Sequence, residues 1–510
     1  MKGNIQKLEH KPGALDRALA LVSSREIISR SLVLASGRED EFLSLRRQTG
    51  ASRQRGGANE KYIQELEQEA DELDKFLTQA SAPYRELKDD LAIGWEKVRD
   101  SLQPGEAAIE FVSFNLFAKW TGKINYAALI LRSGMKTPAY VHLCEETDLA
   151  EIFKKLDGKK PEEQAQILYE EDGLELYARV WQPLEKFLEE TGVKTVYYSP
   201  SGLLHKLSFN SIPEKKGALL SSVYDLKLVS STREIARRKN KTPEKPSSAA
   251  LYGGLQYDID ADKIKQEPQP NKNQGTHISS MPPDDIPRGD SWEYLKESYD
   301  ECWFIQRQLE KNNIDVALYD YEKGNKESFK NLNGKRTGII HLATHGFFWD
   351  EKNHEEMERL ERLVGGKEVL KNPLMRSYLL LSGANNAWDN KAAEGVGNGI
   401  LFADDIANIN LAGTRLVVLS ACETGLGVVD NKEGVFGLQR AFKLAGAQTI
   451  VMSLWKVDDY ATKEYMKKFY EIWLSNGMDK QKAFKEAQRW LRETKEYSSP
   501  YYWAAFVMMD

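Results

Sequence analysis

The spacing of apolar residues changes character along this chain of 510 residues. In KYIQELEQEADELDKFL, Ile63, Leu66, Ala70, Leu73 and Leu77 recur at alternating steps of three and four. That is a narrow apolar seam on one side of a helix, with charges on the other faces. GASRQRGGANE, residues 50–60, supplies a turn before it. Residues 1–104 are therefore expected to form a helical region. It reads either as an antiparallel hairpin packed on the rest of the chain or as a surface that receives a regulatory protein or complex. No 34-residue self-similarity marks a repeat array.

From residue 105 the period shortens. AAIEFVSF, YAALILRS, AYVHL and VKTVYYS read as strands, and TDLAEIFKKL and LELYARVWQPLEKFLEE between them have helical spacing. Residues 105–240 are expected to be one α/β unit. RRKNKTPEKPSS, residues 237–248, is a polar joint containing proline. A second α/β unit is expected over 249–510. AALYGGLQY reads as a strand ending in glycines, followed by a long polar loop over about 257–292. A helix near 294–311, the strand VALYDY, a helix near 325–332 and the strand TGIIHLA come next. TRLVVLSA, a helix near 433–446, the strand QTIVMSLW and two amphipathic helices complete the pattern. Strands alternating with helices predict a mostly parallel sheet covered on both sides.

A net charge of −6 spread over the chain gives no reason to expect nucleic acid as a direct ligand. The start MKGNIQKLEHKPG has no apolar core behind its lysines, and no apolar run approaches the ~18 residues that span a bilayer. A cytoplasmic protein without membrane contact is expected. Three cysteines, Cys144, Cys302 and Cys422, lie far apart with no CxxC pair. No cysteine zinc site is expected, and no metal or cofactor. Cys302 sits among Tyr299, Trp303 and Phe304 and reads as core; Cys144 ends AYVHLC and reads as core or edge.

Cys422 differs. GIIHLATHGFF closes one buried strand with His345-Gly346, and LVVLSACETGLG closes another with Cys422. Open α/β sheets build sites beyond the carboxyl ends of their strands. If the two strands are neighbours, a thiol and an imidazole meet across one crevice, as a cysteine nucleophile requires. A free thiol, with pKa near ~8.5, is a few per cent thiolate at neutral pH, and a nearby imidazole raises that fraction. Gly346 would let a peptide N–H approach a substrate carbonyl, and with the N–H of Cys422 form an oxyanion hole. Singly, each residue is as readily a core cysteine or a structural histidine. His341, four residues before His345, points to the same side of a strand. Gly425 and Gly427 follow a strand and precede a helix, as in a dinucleotide site, but Asp430 occupies the place of the third glycine.

HLATHGFF at 341–348 and VVLSACETGLG at 417–427 resemble the two catalytic blocks of the CHAT family, caspase-like peptidases associated with tetratricopeptide repeats and related to separases and caspases. The resemblance extends over about 105–510, through SPSGLLHKLSFNSIP at 199–213, ILFADDIANINLAGTRL at 400–416, EGVFGLQRAFKLAGAQTIVMSLWKVDD at 433–459 and PYYWAAF at 500–506. It implies an α/β caspase-like fold with a degenerate first unit and an active second one. It implies a cysteine endopeptidase cutting a protein substrate through His345 and Cys422, with Gly346 in the oxyanion hole. Substrate would lie beside QTIVMSLW, with Ser420, Ser453, Trp455 and Asp458 near the pocket. Asp458 and Asp459 also read as acids at the start of the following helix. Relatives that cut after Arg or Lys often carry an acid two residues before the cysteine, where this chain has Ser420. Partner activation and a bacterial defence role are implied by resemblance alone. A non-catalytic scaffold binding partners through its helical N-terminus is the alternative.

Overall fold

The structure is a computed structural model. It describes residues 92–115, 123–189, 192–214, 217–238, 245–259, 292–348, 360–361, 363–364, 366, 369–388, 399–421, 428–430, 434–475 and 477–510. The chain divides into two units, Met1–Val98 and Arg99–Asp510. The expected seam at Ile63–Leu77, the bulk of the polar loop near 257–292, Cys422, Gly425 and Gly427 lie outside the described residues.

The second unit is built on one sheet of eleven strands. Its first half holds β1 (Glu106–Asn115), β2 (Ile124–Arg132), β3 (Ala139–Glu145), β4 (Thr195–Ser199) and β5 (Asp225–Leu228). Its second half holds β6 (Ser248–Leu255), β7 (Asp315–Tyr321), β8 (Ile339–Ala343), β12 (Leu416–Ser420), β15 (Ile450–Ser453) and β16 (Phe506–Met509). The order across the sheet is β3-β2-β1-β4-β5-β16-β15-β12-β8-β6-β7. Two small sheets flank it. One joins β9 (Gly346–Phe348), β10 (Ser377–Leu380) and β11 (Ile400–Phe402), and the other pairs β13 (Val428–Asp430) with β14 (Gly434–Phe436).

β7, β6, β8, β12 and β15 are mutually parallel, as the alternating pattern predicts. β8 and β12 are buried at every position, which is why IIHLA and LVVLS read as continuous apolar runs. β16 runs antiparallel to β15 and parallel to β5, meeting β5 at the single pair Met509 and Leu228. The parallel strands of the two halves therefore run in opposite directions.

Helices cover both faces of the second half. α3 (Lys296–Lys311) and α6 (Asp459–Ser475) pack together on one face, with α7 (Lys480–Glu493) beside α6. α4 (Lys326–Lys330) and α5 (Leu438–Leu444) cover the other, where Phe329 meets Phe442 edge-on. α1 (Glu146–Lys154) and α2 (Gly173–Val180) belong to the first half.

Two expectations change. LELYARVWQPLEKFLEE is not one helix: α2 stops at Val180, Gln182–Leu184 is a 3₁₀ turn, and Glu185–Leu188 resumes the helix. Pro183 has no N–H for the ladder and breaks it there. AALYGGLQY does not end at its glycines, because β6 runs through both to Leu255 with a bulge between Tyr252 and Leu255. A Cβ on Gly253 would sit 2.5 Å from the Ser298 carbonyl oxygen and 2.6 Å from Cys302 Sγ. The missing side chain lets α3 lie directly on β6, and Ser298 Oγ accepts from the Gly254 N–H at 2.9 Å. Cys302 is thus fully buried, and burial pushes its thiol far up; the Cys144 thiol is pushed up to about 12. Neither offers a ready thiolate.

Candidate active site

β8 and β12 are neighbours, paired in parallel register with Ala343 opposite Ser420. His345 follows its strand end by two residues, and Cys422 follows the other by two. Ala421 is the last described residue before Cys422.

His345 is held from three directions. Its Nε2 lies 2.9 Å from the backbone carbonyl of Glu293. A carbonyl only accepts, so Nε2 carries the proton and Nδ1 keeps its lone pair. The rings of Tyr257 and Phe347 flank the imidazole at 5.3 and 6.2 Å between centroids. Tyr257 is itself fixed: its hydroxyl donates to Thr344 Oγ1 at 2.9 Å, since that oxygen's own proton goes to the Leu380 carbonyl at 2.5 Å. Burial lowers the His345 pKa, the Glu293 carbonyl opposes the shift, and Lys456 reinforces it. The neutral ring, able to take a proton at Nδ1, is favoured.

Gly346 begins β9, the edge strand of its sheet, opposite Leu379 of β10. The Leu380 N–H donates to the His345 carbonyl at 3.0 Å, so the hydrogen-bonded pair is His345 with Leu380. In an antiparallel ladder the next pair is unbonded, which turns the Gly346 N–H away from β10.

A crevice open to solvent lies at these strand ends between the first turns of α3 and α6. His345, Ser420 and Ser453 line it. Ser453 is buried, and its Oγ donates to the Ala421 carbonyl at 2.8 Å, fixing the backbone that leads to Cys422. Trp455 and Asp458 do not line it. The Trp455 indole N–H donates to the Tyr501 carbonyl at 3.0 Å, with its ring 6.0 Å from that of Tyr169. Asp458 Oδ1 accepts from the Ala461 N–H at 2.9 Å, the role of a helix cap.

The crevice also holds residues that the sequence pattern did not single out. Glu297 and Glu301 of α3 line it. Glu301 accepts from His341 Nε2 at 2.7 Å, and the Tyr470 hydroxyl reaches His341 Nδ1 at 3.3 Å. His341 is fully buried and belongs to this pair beneath the crevice. Asp459, read as one of two acids starting a helix, lines the crevice as well. The i, i+4 step between His341 and His345 was visible; their partners lie on other elements and were not. Among the described residues no group of three or more His, Cys, Asp or Glu could hold a metal ion, and no helix is long and apolar enough to cross a membrane.

Residues 170–510 match the family model described as CHAT domain. The chain belongs to the CHAT family. Tetratricopeptide repeat protein 28 of Homo sapiens is 36% identical to this CHAT protein over 110 residues, and that of Mus musculus 34%. Each match covers 22% of this chain and 4% of the relative's length. Among solved structures, the Saccharomyces cerevisiae separase–securin complex aligns with a TM-score of 0.43 and 10% identity, covering 86% of this chain and 32% of that one. The Arg-specific cysteine proteinase gingipain R aligns with a TM-score of 0.37 and 10% identity, covering 70% and 74%.

Proposed function

We propose that this CHAT protein is a cysteine endopeptidase in which Cys422 attacks a peptide carbonyl and His345 moves the protons. The observation that carries the reading is the held imidazole: Nε2–H is bonded to the Glu293 carbonyl and Nδ1 has no hydrogen bond among the described residues, two residues past the strand next to the one that leads to Cys422. In this reading Nδ1 takes the thiol proton as sulfur bonds to the carbonyl carbon. The N–H groups of Gly346 and Cys422 receive the oxyanion. Nδ1–H then protonates the leaving amine as the C–N bond breaks, giving a thioester of the amino-terminal fragment and a free carboxy-terminal fragment with a new N-terminus. Water, deprotonated by Nδ1, attacks the thioester and returns the thiol.

The reading extends to the organisation of the chain. Residues 249–510 are the active caspase-like unit, and residues 105–240 a degenerate partner that extends its sheet. Residues 1–104 receive the regulatory protein or complex that triggers cleavage, in a cytoplasmic defence or signalling setting. A peptidyl electrophile tests the chemistry. Modification at Cys422 in wild type, absent in Cys422→Ala and slowed in His345→Ala, is expected. If mapping of new N-termini in cells finds none that depend on Cys422, and no electrophile labels it, the chain is a scaffold instead.

A further inference from the structure

The crevice beside His345 is lined by carboxylates from two helices, and their pairing is uneven. Glu297 is ion-paired with Lys463 of α6. Glu301 is bonded to His341 at 2.7 Å. Asp459, exposed at the rim, has no hydrogen bond or ion pair through its carboxylate among the described residues. Lys456, on the turn before α6, opposes the shift in the Asp459 pKa, and among the described residues no ion pair joins the two. A second observation comes from the sheet. Ser420, at the end of β12, is 7% exposed and lines the same crevice, yet its Oγ has no hydrogen-bond partner among the described residues. A buried hydroxyl without a partner costs free energy unless a ligand completes it.

We infer that this crevice is the pocket for the side chain preceding the cut bond, and that it takes a cationic side chain, lysine or arginine, with Asp459 as counter-charge and Ser420 Oγ as neutral acceptor. The inference rests on the peptidase reading and names its substrate class. An ammonium or guanidinium carries only donors, and the open groups here are acceptors: a carboxylate and the lone pairs of a hydroxyl. An acidic side chain would enter beside Glu297, Glu301 and Asp459 and be repelled. An apolar one would desolvate Asp459 and leave Ser420 Oγ unsatisfied. The acid missing from the position two residues before Cys422 is thus supplied from another element, the first turn of α6. Loss of solvent around the Asp459 carboxyl, then the charge of Asp458, pushes its pKa up to about 6, and Glu301 and Glu297 add to the shift against Lys456. A cation in the crevice relieves that repulsion.

The full chain is treated with four peptidyl acyloxymethyl ketones that differ only in carrying Lys, Arg, Leu or Asp next to the reactive carbon, and modification of Cys422 is timed by mass spectrometry. Iodoacetamide, which has no side chain to place, reports thiol reactivity in parallel. The expected result is reaction of the Lys or Arg reagent at least about tenfold faster than Leu, with that ratio falling about tenfold in Asp459→Asn. Asp459→Lys shifts the preference toward the Asp reagent. Equal or faster labelling by Leu or Asp, or a ratio unchanged in Asp459→Asn, overturns this inference and leaves the peptidase standing. Iodoacetamide labelling without reaction of any peptidyl reagent overturns the peptidase reading, and this inference with it.

Discussion

The two halves of the large sheet finish their strands in different ways. Where β1 passes the end of β4, most polar groups are bonded to one another, although Ser230 Oγ is buried with no partner among the described residues. Glu110 is buried and accepts from the Thr232 N–H at 3.0 Å and from Thr232 Oγ1 at 2.7 Å. Ser199 Oγ donates to the Ser230 carbonyl, and the Ser113 and Ser201 hydroxyls meet at 3.0 Å. At the ends of β8 and β12, among the described residues, Ser420 Oγ is buried without a partner and His345 Nδ1 makes no hydrogen bond. The two joints thus differ in what they leave open: a lone hydroxyl, Ser230 Oγ, on one side, and a hydroxyl in the same crevice as an imidazole on the other. Unmet bonding capacity is where a protein can still do chemistry, and it is the cost of a site.

Mutations can break or sharpen this contrast. The largest effect is expected from His345→Ala, which should cut peptide cleavage by ~10²–10⁴-fold at unchanged melting temperature. A variant that unfolds early instead would make His345 structural. On the closed side, Glu110→Ala leaves two buried donors of Thr232 unmet. It should cost about 2–3 kcal/mol in urea unfolding while leaving turnover per folded molecule intact. Ser453→Ala should fall between the two kinds: about 1 kcal/mol of stability, with a loss of cleavage rate because Ala421 is released beside Cys422.

The smallest effect is on the pH profile of Asp459. Its folded pKa of about 6 lies above the ordinary 3.8, so the folded state holds this proton more tightly than the unfolded state. Ionising it costs stability as pH rises from about 4 to 6, and the cost persists above. The carboxylate lies at an exposed rim, so the penalty should stay within about 1 kcal/mol. Asp459→Asn should therefore be slightly more stable than wild type at pH 7 and equal to it near pH 4. Equal stability at both pH values in thermal melts would show the carboxylate to be uncrowded.

Much of the second half was legible because each central strand is a short apolar run bounded by polar turns, and β8 and β12 are buried throughout. His345 stood out because it closes such a run beside a glycine. The helical spacing of LELYARVWQPLEKFLEE is interrupted at Pro183, where local backbone chemistry outweighs apolar spacing. The passage of β6 through Gly253 and Gly254 was hidden because those glycines answer to α3, more than forty residues later. Asp459 was visible as a residue but read as a cap, since its neighbours on α3 come from a distant part of the chain. Glu301 as the partner of His341 was invisible for the same reason. No periodicity reports which carboxylate will face which imidazole.

The anchor of His345 is a peptide carbonyl and not a side chain. Natural genetic change at position 293 cannot delete it, because every amino acid brings the same oxygen. A saturation scan of single substitutions would pass over Glu293 as dispensable while the imidazole depends on it. Only a shift of the chain by insertion or deletion, or a backbone ester at that bond, would expose the dependence. Part of the site's design is thus written in the length of the chain before α3, where counting replaced residues cannot find it.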